Sequence, residues 1–144
     1  AQPDLTFGLG TNLQYKNWTL SLNFRGSIGN DVYNCTANNL AYLSNLPGRN
    51  VLKEAVTSGV NRDQAKVYSS RFIEDGSYVK LKTLTLGYTF PDKWIKKARL
   101  SNLRVYLQAQ NVFTLTNYTG ADPEGLGYPY PQPRTYTFGL SLGF

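Results

Sequence analysis

The sequence predicts an all-β protein, a run of membrane-spanning strands from an antiparallel transmembrane β-barrel. Three observations predict it. Five stretches alternate large apolar with small or polar residues, each for about ten residues or more. Their polar faces are mostly Thr, Ser, Gly, Asn and Gln, where a water-facing sheet would carry Lys and Glu. The connections between them are alternately short and long, as in outer-membrane barrels.

The first strand, about 4–16, sets Leu5, Phe7, Leu9, Leu13 and Tyr15 against Thr6, Gly8, Gly10, Asn12 and Gln14. Lys16-Asn17 then separates it from the second strand, about 18–29, which is a hairpin signal. That strand opposes Trp18, Leu20, Leu22, Phe24 and Ile28 to Thr19, Ser21, Asn23, Arg25 and Ser27. The third, about 78–90, changes phase between Leu81 and Leu84, and a β-bulge near Lys82-Thr83 would restore its facing. The fourth, about 103–115, opposes Leu103, Val105, Leu107 and Ala109 to Arg104, Tyr106, Gln108 and Gln110. Asn111 falls on its apolar side, where the periodicity gives it no reason to be. The fifth, about 135–144, reads TYTFGLSLGF.

Strands of this length exceed the five or six residues usual in soluble sheets and match what a tilted strand needs to cross a bilayer. Five strands close no barrel, because about eight are needed, and an open edge in hydrocarbon leaves backbone groups unpaired. The chain is therefore expected to be part of something larger. The competing reading is a soluble β-domain that binds carbohydrate or nucleic acid.

Composition narrows the function. The 144 residues carry a net charge of +6, but the basic residues are spread over turns and loops apart from KWIKKAR, so nucleic acid is not expected as a partner. Cys35 is alone and His is absent, which removes internal disulfides, the usual triad base and the common metal ligands. Glu74-Asp75, in EDGS, reads as a turn before a strand. The reading is not an enzyme, with no cofactor and no metal.

Three longer motifs, RFIEDGSYVKLKTLTLGYTFP, LRVYLQAQNVFTLTNYTGADPE and YPQPRTYTFGLSLGF, occur in that order. Together they resemble the C-terminal barrel segment of SusC/RagA-like TonB-dependent outer-membrane transporters of Bacteroidetes-type bacteria. The resemblance is dense from about 70 to 144 and looser before. It implies the last five strands of a 22-stranded plugged barrel in the cell outer membrane, with the C-terminus periplasmic and the long loops about 30–77 and 117–134 outside. It also implies import of oligosaccharides or peptides, a SusD-like surface lipoprotein as partner, and a TonB complex acting through a plug that this chain lacks.

Within that frame, Tyr118, Tyr128, Tyr130 and Arg134 are the candidates for touching substrate or the lipoprotein lid, since Tyr offers a flat apolar face with a hydroxyl. Arg25, Lys80, Arg104 and Gln108 fall on the polar face, hence the lumen, where pairing with plug carboxylates is favoured over lining the path. Lys93, Trp94, Lys96, Lys97 and Arg99 read as an interfacial turn with Trp at headgroup level. Thr137, Gly139, Leu142 and Phe144 fit the terminal signal that the barrel-assembly machinery reads, which makes Phe144 the expected natural terminus.

Overall fold

A computed structural model describes residues 2–57, 67–96, 100–124 and 130–144. It contains two compact units. One is a five-stranded sheet built from β1 (Leu5–Tyr15), β2 (Trp18–Ile28), β5 (Tyr78–Thr89), β6 (Asn102–Thr116) and β7 (Thr135–Gly143), in the order β1-β2-β5-β6-β7. The other holds the pair β3 (Asp31–Tyr33) and β4 (Ile73–Asp75) with the short helices α1 (Cys35–Leu40) and α2 (Lys53–Thr57). A third short helix, α3 (Asp92–Ile95), lies between β5 and β6 in the chain.

Register explains the faces of the sheet. Antiparallel pairing of β2 with β5 sets Trp18 opposite Tyr88, Leu20 opposite Leu86 and Leu22 opposite Leu84. Directly opposed residues share a face, so the apolar sets of the two strands coincide. Asn23 then pairs with Thr83 but Phe24 with Leu81, leaving Lys82 as the extra residue of a bulge. That single residue returns Leu81 and Val79 to the apolar face. Between β6 and β7 the pairs Leu103–Leu142, Val105–Leu140 and Leu107–Phe138 line the same face, while Arg104–Ser141, Tyr106–Gly139 and Gln108–Thr137 line the other.

The apolar face is uncovered. Leu9 is 60% exposed, Phe138 73% and Leu140 55%, and among the described residues no large side chain is fully buried. Contiguous apolar surface of this kind is more than soluble monomers usually expose and calls for an apolar surrounding, which weighs against the soluble reading.

Two details depart from the periodicity. Asn111 takes φ 53°, a left-handed conformation that Asn tolerates better than most residues, and its side-chain amide donates to the carbonyl of Pro133 at 2.9 Å. Its misfit in phase is thus a local break in β6, where pairing with β7 stops at Gln110–Thr135. At the other end of β7 the strand stops at Gly143, whose carbonyl accepts from Ser101 N, and Phe144 lies beyond it, 93% exposed.

The second unit is held by polar caps and a small core. Asn34 caps α1, its side chain accepting from Ala37 N at 2.9 Å, and Ser69 caps the 3-10 turn at 70–72 in the same way. Ala41, Tyr42 and Phe72 form the core, with Tyr33 and Ala37 against it.

Candidate functional site

The sheet's polar face carries the residues expected to line a lumen. Arg25 and Lys80 are direct cross-strand partners, so two cations share one rung. Lys80 is nonetheless buried, with its ammonium 5.4 Å from the ring centroid of Tyr78 on the same face. Stacking on the ring partly offsets the repulsion that like charges feel when directly opposed.

Arg104 is positioned by an absence. Thr19 and Gly87 are cross-strand partners on β2 and β5, and the Arg104 guanidinium from β6 lies over Gly87 to donate to Thr19 Oγ1 at 3.2 Å. A Cβ on Gly87 would meet the guanidinium and the Thr19 hydroxyl, so only glycine leaves the cation room to lie flat. Gly139 acts likewise on β7, where a Cβ would run into the ring of its partner Tyr106. Gln108 pairs with Thr137, the next pair on the same face. The structure therefore brings Arg25 and Lys80 together and sets Arg104, Tyr106 and Gln108 as successive groups of one row.

Of the expected outer-loop contacts, Tyr118 is half-buried, Tyr130 is 91% exposed and Arg134 is exposed just before β7. Tyr128 lies outside the described residues, as do Lys97 and Arg99. No described hydrogen bond or ring contact joins Tyr118 to Tyr130.

Tyr118 instead belongs to a polar node absent from the sequence reading. Glu74 accepts from the backbone N–H of Thr119 at 2.8 Å, from its hydroxyl at 2.8 Å and from the Asn34 amide at 2.9 Å. Partial burial pushes the Glu74 carboxyl up, but these donors outweigh it and hold the group below the usual glutamate range. Burial pushes the Tyr118 phenol up, and the charge of Glu74 and the nearby Cys35 push it the same way. A cavity of about 560 Å³ lies beside the node, lined by Asn34, Ala37, Leu52, Arg71, Glu74 and Thr119 among others.

A second cavity, of about 540 Å³, is lined by Tyr42, Tyr68, Arg71 and Phe72. Tyr33 forms tilted or edge contacts with Tyr68 and Phe72 at centroid distances of 5.4 and 6.3 Å. The cavity beside the node was not legible from the chain, because Asn34, Glu74 and Thr119 are 40 to 85 residues apart. Gly87 was legible in principle: a glycine inside a strand signals close approach of another group.

No family model matches the chain. It is 36% identical over 153 residues to the TonB-dependent receptor SusC of Bacteroides thetaiotaomicron, covering 98% of the chain. It is 34% identical over 164 residues to the TonB-dependent receptor P3 of Formosa agariphila, covering 99% of the chain. The chain spans only 15–16% of the length of these relatives. Its backbone matches the RagAB peptide importer in the open-open state with a TM-score of 0.84 at 26% identity, over 99% of this chain and 17% of that one. The RagAB peptide transporter matches with a TM-score of 0.80 at the same identity and coverage. Matched over nearly its whole length in both sequence and backbone, this chain belongs to the SusC/RagA-like TonB-dependent receptors, as a segment of their β-barrel.

Proposed function

We propose that this chain forms part of the wall of an outer-membrane barrel that imports oligosaccharides or peptides, energised through TonB and working with a SusD-like surface lipoprotein. One observation carries the reading: a chain 36% identical to a SusC receptor folds into a sheet whose apolar face is bare and whose other face is polar. Such a sheet suits hydrocarbon on one side and a watery, plugged lumen on the other.

In this reading the barrel has 22 strands, this chain supplies the last five, and its C-terminus is periplasmic. The segments 30–77 and 117–134 then face outside, where Tyr118, Tyr128, Tyr130 and Arg134 are available to cargo or lipoprotein. The Arg25–Lys80 rung and Arg104 receive carboxylates of the plug, which fits the flat, tethered geometry of Arg104. Thr137, Gly139, Leu142 and Phe144 serve the barrel-assembly machinery. No covalent chemistry is involved; the work is binding and gated passage.

The test is uptake. Cells carrying the full-length gene should accumulate labelled oligosaccharide or peptide, losing uptake when the gene, its lipoprotein partner or TonB is deleted. Uptake of both cargo classes unchanged in all three deletions overturns the proposal.

A further inference from the structure

The short-turn end of the sheet combines rings and cations in a way that the wall of a barrel does not by itself require. Both tryptophans of the chain lie here. Trp18 and Tyr88 are cross-strand partners with ring centroids 4.8 Å apart, Tyr88 meets Phe90 at 5.0 Å, and Phe90 meets Trp94 at 6.2 Å. The rings thus form a continuous belt at the edge of the bare apolar face.

Cations stand just beyond it. Lys16 occupies the β1–β2 turn at φ 51°, a conformation that glycine or asparagine would hold at lower cost, with its ammonium 5.3 Å from the Tyr15 ring centroid. The turn is tied to the end of β5, since Thr89 N donates to Asn17 O at 2.9 Å and the Asn17 amide donates back to Thr89 O at 2.6 Å. Beside that junction, α3 is anchored by Ile95, 4% exposed, while Lys93, Trp94 and Lys96 are exposed. Lys93 and Lys96 are three apart, hence neighbours on one face of the turn. The one acidic residue of the sheet unit, Asp92, begins this helix.

We infer that Lys16, Lys93 and Lys96 form a binding surface for the phosphate of anionic glycerophospholipids, with Trp18 and Trp94 packing against the same lipids at headgroup depth. Three observations carry this beyond a solvated charge cluster. The lysines come from two connections that backbone hydrogen bonds hold together, they adjoin an unbroken ring belt, and that belt borders an apolar face open to acyl chains. Tryptophan sits at the interface and lysine reaches the phosphate layer beyond it. The inference rests on the membrane reading proposed above and adds to it a preference among lipids.

The full-length protein containing this segment, reconstituted in phosphatidylethanolamine nanodiscs with a minor share of phosphatidylglycerol and then exchanged into detergent, should retain phosphatidylglycerol in excess of its share. The triple variant K16Q/K93Q/K96Q should lower that enrichment at least about fivefold. The charge-preserving K16R/K93R/K96R and Lys53→Gln, in the other compact unit, should keep it, and heat-modifiable migration verifies that each barrel is folded. If the triple variant fails to fold, each single Lys→Gln variant should lower enrichment partially. Undiminished enrichment in the glutamine variants overturns the inference, as does a lysine-dependent preference for lipopolysaccharide over phosphatidylglycerol. A protein that washes off membranes in carbonate overturns the membrane reading itself, whereas an embedded protein without phosphatidylglycerol enrichment overturns only the lipid preference.

Discussion

The sheet unit and the loop unit obey different physics although the chain passes between them repeatedly. Residues 5–27, 78–115 and 132–144 carry ten Lys and Arg and one acid, whereas 1–4, 28–77 and 116–131 carry five and eight. In the sheet the large apolar side chains lie exposed on one face, Leu9, Phe138 and Leu140 among them. In the loop unit several turn inward, with Val32, Tyr42 and Phe72 each 6–7% exposed, although Tyr68 and Ile73 stay exposed. The two faces of the sheet suit two different media, as proposed above. The loop unit instead buries a small core of its own.

The sharpest way to break this contrast is a charge on the uncovered face. Leu140→Arg, opposite Val105 in mid-strand, should destabilise the full-length barrel by roughly 2–4 kcal/mol near the bilayer midplane. Leu20→Arg should cost less, because Leu20 lies two residues from the interfacial ring of Trp18. Ser21→Arg, on the polar face, loses only an exposed hydrogen bond to Asn12 and should stay below about 1 kcal/mol. Folded yield in membranes checks all three, and equal tolerance would remove the two-media account of the sheet.

A subtler break is steric. Gly139→Val places branched bulk where the Tyr106 ring lies, and should cost about 1–3 kcal/mol. Tyr106→Ala in the same chain should recover most of it. Absence of recovery in urea unfolding of the double variant would mean that Gly139 serves something other than ring packing.

In the loop unit the corresponding change is polar. Glu74→Gln replaces one carboxylate oxygen with a donor facing Thr119 or Asn34, and should cost about 1–2 kcal/mol, confined to this unit. Faster amide exchange at Thr119 with unchanged exchange in β2 and β5 is the expected pattern. The pH dependence has a definite sign. Because the folded state holds the Glu74 carboxyl below its ordinary value, the node contributes fully above the usual glutamate range. That contribution is lost as pH falls from there through the lowered folded value, so the protection factor at Thr119, corrected for the intrinsic pH dependence of exchange, should fall only on acidification.

An effect of similar size is expected at the break in β6. Asn111→Ala removes the bond to Pro133 and places an alanine at positive φ, for about 1–2 kcal/mol. Asn111→Gly keeps the backbone comfortable and should cost less, which thermal melts of the two variants compare directly.

Period-two alternation by itself determined the five long strands, their two faces and the position of the bulge. Alternation is a local property, and one extra residue at Lys82 is enough to invert everything after it, so the phase change between Leu81 and Leu84 was readable in advance. Asn111 was visible as an error of phase, but its cause was not, since nothing local points to Pro133.

Only the tertiary structure decided which groups meet. That Arg104 crosses Gly87 to reach Thr19 depends on strand order and register, the bonded pair lying 85 positions apart in the chain. The Glu74 node was hidden for the same reason: EDGS reads as a turn, and its partners arrive from residues 34 and 119. The belt from Trp18 to Trp94, with Lys16 beside it, likewise needed the β2–β5 ladder to bring two connections together. Solvent selects a side chain's face through its own polarity, which the sequence spells out residue by residue. Partners are selected by how distant segments pack, which it does not.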